Sequence, residues 1–301
     1  MKKLPKLVVI LGQTAAGKTA LSVKLAKKFN GEIISADSRQ IYEEMNIGTA
    51  KPTKKELKGI PYYLIEILPP DKEFNVAIYK KIATQTIREI QKMGKLPFLV
   101  GGTGLYIQAI VDNLQFPRAL PQKKIREKLE RKTEIKLFEI YKKLDPVGAK
   151  TIDKKNKRRL IRAIEVCKTT GEPFWKQRKR GKSLFDVLQI GIKVEKEELK
   201  KRVEKRVEKM FRDGLEKEVK QLVKKYGWIT PLQTIGYQEW KDYFESKIEK
   251  EKVKKLIIQH TIQFAKRQMT WFKKDKRIHW IKTQKEAEKL IKNFFKKIGA
   301  I

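Results

Sequence analysis

The chain has 301 residues, enough to bury one large core with an insertion, and carries 72 Lys/Arg against 35 Asp/Glu, a formal charge of +37. Its single cysteine, Cys167, excludes a disulfide framework and every multi-cysteine zinc motif, and reads as core filler. No apolar run approaches the roughly 18 residues that would span a bilayer, so no membrane partner is expected.

Leu7–Leu11 is the first apolar run and reads as a buried strand. It leads directly into Gly12-Gln13-Thr14-Ala15-Ala16-Gly17-Lys18-Thr19, a full match to the phosphate-loop pattern G-x-x-x-x-G-K-[ST]. Leu21, Leu25, Ala26 and Phe29 recur at helical spacing, which predicts a helix over Lys18–Phe29 with its free N–H groups at the loop. Those amides and Lys18 can hold a diphosphate, and the Thr19 hydroxyl can ligate an accompanying Mg²⁺. The basic N-terminal residues enter this loop rather than a cleavage site, so the expected compartment is the cytoplasm.

A second strand, Glu32–Ala36, ends in Asp37-Ser38-Arg39-Gln40. Ligands gather at the carboxyl ends of strands in open α/β sheets, so Asp37 is expected in the same crevice as Lys18. There it could act as a general base or hold Mg²⁺ through water; a turn or N-cap aspartate is an equally open reading. A helix over Asn75–Met93 precedes a third strand, Leu96–Val100, which ends in Gly101-Gly102-Thr103-Gly104-Leu105-Tyr106. Two glycines beside a threonine let backbone and hydroxyl approach a ligand closely. The third strand lacks the closing aspartate common in nucleotide-hydrolysing relatives, so the loop need not hold ATP.

From Pro117 to Ser183 the text becomes basic and helical, with helices expected at Lys123–Arg131, Lys136–Leu144 and Asn156–Thr169. Arg158 and Arg162 are four apart on one helical face with Arg159 adjacent, a stripe suited to phosphodiester contacts or to solvent. Val187–Val194 then reads as a strand returning to the core. Two long charged helices, Lys196–Tyr226 and Glu249–Phe272, and an edge strand over Arg277–Ile281 complete the chain. Phe264, Trp271 and Phe272 read as core packing rather than base stacking, and His260 and His279 have no metal-ligand partners nearby. The expected architecture is α/β: a P-loop parallel-sheet core from 1–116 and 184–301, with a helical domain inserted over 117–183. The net charge is +8 up to residue 113 and +29 beyond it. A Lys/Glu-rich surface of the kind favoured at high temperature raises both signs together, so this one-signed surplus points to a polyanionic partner.

These segments together resemble the tRNA dimethylallyltransferases, or tRNA isopentenyltransferases, of the bacterial type. The matching text is Gly12–Thr19, Asp37-Ser38-Arg39-Gln40-Ile41-Tyr42, Ile47-Gly48-Thr49-Ala50-Lys51-Pro52 and Gly101–Tyr106. It continues with Arg158–Val166, Thr234-Ile235-Gly236-Tyr237-Gln238-Glu239 and Ala265–Trp271, spanning nearly the whole chain in the family's order. The resemblance implies transfer of the prenyl group of dimethylallyl diphosphate to the exocyclic amine of the adenosine 3′ of the tRNA anticodon. It implies a helical insertion that grips the anticodon stem-loop, and no feature marks an obligate protein partner. By matching position, Asp37 would be the general base and Thr103 would lie between donor and acceptor. Gly12, Thr14, Ala15, Ala16, Gly17, Lys18, Thr19 and Arg206 would bind diphosphate, with Thr19 also on Mg²⁺. Asp37, Ser38, Arg39, Gln40, Thr103, Arg126, Arg158, Arg159 and Arg162 would contact tRNA, Gln40 at the target adenine. The departures are Tyr62-Tyr63, where relatives often carry histidines, and Gln13 for a common proline. Neither is expected to touch the chemistry.

Overall fold

The computed structural model describes residues 4–117, 119–177 and 179–296. Positions 1–3, 118, 178 and 297–301 of the expected domain ranges lie outside the described residues. In chain order the elements begin β1 (Lys6–Gly12), α1 (Lys18–Lys28), β2 (Gly31–Ala36), α2 (Lys54–Leu57), β3 (Tyr62–Tyr63), α3 (Val76–Lys92), β4 (Leu96–Gly101) and α4 (Gly104–Val111). Next come α5 (Lys123–Glu130), α6 (Glu134–Leu144), α7 (Pro146–Ala149), α8 (Lys157–Thr170), β5 (Asp186–Ile192), α9 (Lys196–Arg212) and α10 (Leu215–Tyr226). The last are α11 (Lys241–Phe244), α12 (Lys250–Phe272), β6 (Ile278–Ile281) and α13 (Gln284–Lys296).

The strands form one six-stranded sheet in the order β3-β2-β4-β1-β5-β6, every pairing parallel. Alternation along β1 explains how it is buried on both faces. Leu7, Val9 and Leu11 pack with Tyr79, Ala83 and Ile87 of α3 and with Ile107 and Ile110 of α4. Val8 and Ile10 pack on the opposite side with Val23, Leu25 and Ala26 of α1 and Ala287 and Ile291 of α13. Each of these large side chains contributes about 1.5–3 kcal/mol by leaving water, which makes the register of the central strands costly to slip. A third cluster joins α9, α10 and α12 around Tyr237 and Trp240, and it takes in Ile41, Tyr42 and Met45 from the segment after β2.

Two compact units are present, one of residues 1–111 and 184–301, the other of residues 112–183. The inserted unit opens at Asp112, ahead of the expected Pro117. The reason is local pairing: Asp112 meets Arg180 at 3.3 Å, Asn113 Nδ2 donates to the Lys182 carbonyl at 2.8 Å, and Gln115 N donates to the Lys179 carbonyl at 2.8 Å. Within this unit Leu137, Tyr141, Leu160, Ile161 and Ile164 form a core of their own.

The single helix expected over Lys196–Tyr226 is two helices. Gly214, at φ +94°, takes the left-handed conformation that stops α9 and caps the start of α10. Six further elements are not anticipated by the sequence pattern: the two-residue β3, the one-turn helices α2, α7 and α11, the short α4 and the terminal α13. α4 is apolar on nearly every side, so it carries no readable period.

Candidate functional site

The strand order brings three carboxyl ends side by side. Leu11 pairs with Gly101, and Gly101 pairs with Ala36, so β1, β4 and β2 end level with one another. Gly101 is required for this approach, because a Cβ there would lie 2.1 Å from the Ala36 carbonyl oxygen. The segments that leave these strands are therefore gathered at one place: the phosphate loop after β1, Asp37 after β2 and Thr103 after β4.

The loop has the curled backbone its glycines suggest, with Gly12 at φ +150°, Ala15 at +60° and Gly17 at +89°. Lys18 opens α1, and its ammonium folds back to donate to the carbonyls of Gly12 (3.1 Å) and Gln13 (2.7 Å). Burial lowers the Lys18 pKa to about 8; Asp37 opposes the shift and Arg206 adds to it. Tyr62 lies close by, packed against the cluster that holds Ala16. Burial pushes its phenol well up, Asp37 adds to the shift, and the Ser35 and Thr19 hydroxyls oppose it. β3 pairs with β2 through this residue, which carries the ring to the loop.

Asp37 serves as a turn residue and a cavity residue together. Its Oδ1 accepts from the amides of Arg39 (2.9 Å) and Gln40 (3.3 Å), while among the described residues none donates to Oδ2. Thr103 Oγ1 accepts from Ser38 N at 3.1 Å, and Thr103 N donates to the Ala36 carbonyl at 3.2 Å. A cavity of about 220 Å³ opens here, lined among others by Thr14, Asp37, Ser38, Arg39, Thr103 and Arg206. Arg206, from α9, donates to the Thr49 carbonyl at 3.2 Å, and burial lowers its pKa against the pull of Asp37. Gln40 spends its side-chain N–H groups on the carbonyls of Thr49 and Ala50, both at 3.2 Å, and is not among the cavity-lining residues.

Beyond Arg206 on α9, sequence reasoning missed what α10 and α12 contribute. Glu218 of α10 accepts from the amides of Asn46, Ile47 and Gly48 and from the Tyr237 hydroxyl, at 2.7–3.1 Å, and so shapes the loop that carries Thr49. Phe264 is 38% exposed and lines the cavity, and Trp271 is 44% exposed; only Phe272, at 3%, is core. The core reading of the first two is corrected because the buried stripe of α12 runs through Val253, Ile257, Ala265, Gln268 and Phe272 instead. His260 has a structural partner, Glu239 Oε1 at 2.7 Å from its Nδ1.

Arg126, Arg158, Arg159 and Arg162 all lie in the inserted unit. Arg126 grips Glu165 through two nitrogens (2.7 and 3.0 Å), and Arg162 reaches the same carboxylate at 2.6 Å and the Ala119 carbonyl at 2.9 Å. Burial pushes the Glu165 pKa up, but the bonds from Arg126, the Gln122 amide and Arg162 outweigh it and leave it below the usual value. Arg158 is exposed and Arg159 half-exposed on the first turn of α8, whose N-cap Asn156 accepts from Arg159 N.

The chain is similar to known proteins over most of its length. The family profile described as IPP transferase matches residues 40–275, and that described as isopentenyl transferase matches 5–67. The tRNA dimethylallyltransferase of Carboxydothermus hydrogenoformans is 42% identical over 98% of this chain and 97% of its own length. That of Microcystis aeruginosa is 45% identical over 94% and 90%. Among solved structures, the tRNA delta(2)-isopentenylpyrophosphate transferase of Staphylococcus epidermidis superposes with a TM-score of 0.70 at 37% identity, covering 98% of this chain and all of its own. A eukaryotic dimethylallyltransferase acting on tRNA does so with a TM-score of 0.77 at 29% identity, covering 89% and 69%.

Proposed function

The chain belongs to the IPP transferase family of tRNA dimethylallyltransferases, and on that premise we propose how its residues divide the work. It is a prenyltransferase. Its reaction moves the dimethylallyl group of dimethylallyl diphosphate to the exocyclic amine of the adenosine 3′ of the anticodon. The new bond joins the amine nitrogen to the allylic carbon; the carbon–oxygen bond breaks, and diphosphate leaves with the electron pair. An exocyclic aromatic amine is a poor nucleophile, so Asp37 takes its proton as attack develops. The supporting observation is that Asp37, Thr103 and the phosphate loop leave neighbouring strand ends around one cavity.

Gly12, Thr14, Ala15, Ala16, Gly17, Lys18 and Thr19 bind the diphosphate, with Arg206 beside them, and meet the charge that grows on it. Lys18 then exchanges its two loop carbonyls for phosphate oxygens, and the arriving anion favours the charged amine that burial disfavours. Thr19 is the residue that would hold a divalent ion, Mg²⁺ in this reading. Among the described residues no group of three or more His, Cys, Asp or Glu could hold a metal ion, so the Thr19 hydroxyl at the start of α1 is the oxygen this reading offers a hard cation. When bound, the ion neutralises charge on the leaving group. Ser38 and Arg39 face the acceptor nucleotide in this reading, and Gln40 would reach the adenine only by giving up its bonds to the Thr49 and Ala50 carbonyls. The adenine leaves the loop stack to reach the cavity, as bases that undergo chemistry do.

The inserted unit grips the anticodon stem-loop through Arg158 and Arg159, with Arg126 and Arg162, which also hold Glu165, lending charge beside them. It carries +14 in 72 residues, and phosphate contacts need such a surplus. Among the described residues no helix is long and apolar enough to cross a membrane, and a cytoplasmic site of action fits a tRNA substrate. Turnover of labelled dimethylallyl diphosphate tests the reading: product with tRNA supports it, product with free AMP points to a nucleotide prenyltransferase, and product with neither rejects it.

A further inference from the structure

α12 reaches the phosphate loop twice. Gln13 Nε2 donates to the Ala265 carbonyl at 3.0 Å, and Gln268 Oε1 accepts from the Thr14 amide at 2.8 Å. The other end of the Gln268 amide donates to the Gly102 carbonyl at 2.9 Å. Gln268 is only 7% exposed, so one buried side chain joins the backbone of the donor loop to the backbone of the turn that carries Thr103.

The chemistry of the two partners selects the residue. Thr14 offers a donor and Gly102 an acceptor, and a carboxamide supplies the opposite of each on one planar group. An ionised glutamate would accept from Thr14 but set a lone pair against the Gly102 oxygen. Alanine would satisfy neither. Gly102 is matched to the arrangement, since a Cβ there would lie 2.3 Å from Gln268 Nε2.

We propose that Gln268 is a positioning residue for prenyl transfer, fixing the distance between the diphosphate on the loop and the acceptor amine at Asp37 and Thr103. The proposal rests on the function given above. Displacement on carbon needs the reacting atoms about 3–3.5 Å apart and aligned, and an error of about 1 Å costs about 10²-fold in rate. Thr14 and Gly102 sit on different loops, and the gap between them is spanned by this amide; the bond from Ser38 N to the Thr103 hydroxyl carries the link on to the turn of Asp37. The fold does not depend on it to the same degree, because Thr14, Gly102 and Gln268 all line the cavity, where water can replace the lost bonds.

The test uses the full chain, an anticodon stem-loop RNA and dimethylallyl diphosphate, with Gln268→Ala and the isosteric Gln268→Glu. Single-turnover transfer at saturation should fall about 10- to 100-fold in both, while affinity for each substrate stays within about threefold of wild type. Lowering the pH should restore Gln268→Glu relative to wild type, since its protonated carboxyl again donates to Gly102, whereas the Gln268→Ala ratio should stay flat. A Gln268→Ala rate within twofold of wild type overturns the proposal. So does a rate loss matched by lost affinity, a Gln268→Glu ratio indifferent to pH, or failure of both variants to fold. A wild-type protein that transfers nothing overturns the function itself, which separates that failure from these.

Discussion

The backbone N–H of Ser38 donates to the Thr103 hydroxyl at 3.1 Å, tying the carboxyl end of β2 to that of β4. Asp37 is therefore held from two sides, by its own turn through Oδ1 and by this brace next to it. Asp37→Asn keeps an oxygen for the turn and loses only the base. The expected outcome is an intact fold, unchanged tRNA affinity and a chemical step slower by about 10²-fold or more. Single-turnover rates within a few-fold of wild type would remove Asp37 from the role.

Lys18 gives the donor site a pH signature. In the folded protein its pKa is lowered from 10.5 to about 8, so between those values the unfolded chain holds the proton more than the folded one. Its contribution to stability therefore rises with pH across that window. A bound diphosphate favours the charged amine, so binding takes up a proton above about pH 8. Donor affinity should weaken from pH 8 to 9.5, by at most about tenfold per unit, and Lys18→Ala should bind weakly at every pH without this trend. Calorimetry in buffers of different ionisation enthalpy reads the proton uptake directly.

Much of this site was legible because its parts are contiguous text at strand ends. Gly12–Thr19, Asp37 and Thr103 each come directly after an apolar run, and parallel pairing does the rest. Gln268 was not legible: it meets Thr14 across 254 residues of chain and reads as one polar letter between Arg267 and Met269. Phe264 and Trp271 were misread because an aromatic beside a buried stripe has the same period as one within it. The charge surplus was visible in the sequence together with its division along the chain. Residues 114–183 carry +15 and residues 184–301 a further +14, so the basic surface is not confined to the insertion.

Gly214 shows where periodicity misleads, since apolar spacing continues through it and suggests one helix where there are two. Its φ of +94° favours glycine, yet an added Cβ would meet nothing within 4 Å. Gly214→Ala should therefore cost only backbone strain, about 1–2 kcal/mol, without a packing clash. Denaturant midpoints should fall accordingly while transfer at 25 °C stays within about twofold. An unchanged midpoint would mean that α9 and α10 can straighten into one helix.

The arginines of α8 separate into two roles that mutation can tell apart. Arg162 shares the fully buried Glu165 carboxylate with Arg126, so Arg162→Ala leaves that carboxylate short of a partner and should destabilise the inserted unit by about 2 kcal/mol. Arg158 and Arg159 sit at the exposed start of the same helix, where a phosphate can approach. Replacing these two with alanine should leave thermal stability nearly unchanged. It should weaken tRNA binding and reduce the slope of log affinity against log salt by up to about 0.9 for each lost phosphate contact. Donor binding should not respond, because the diphosphate loop belongs to the other unit. Binding measured at several salt concentrations for wild type, the double variant and Arg162→Ala decides it. Coincident slopes for wild type and the double variant would leave the pair as solvated charge, and the grip on RNA would then have to come from the basic residues of 184–301, beginning with Lys266 and Arg267.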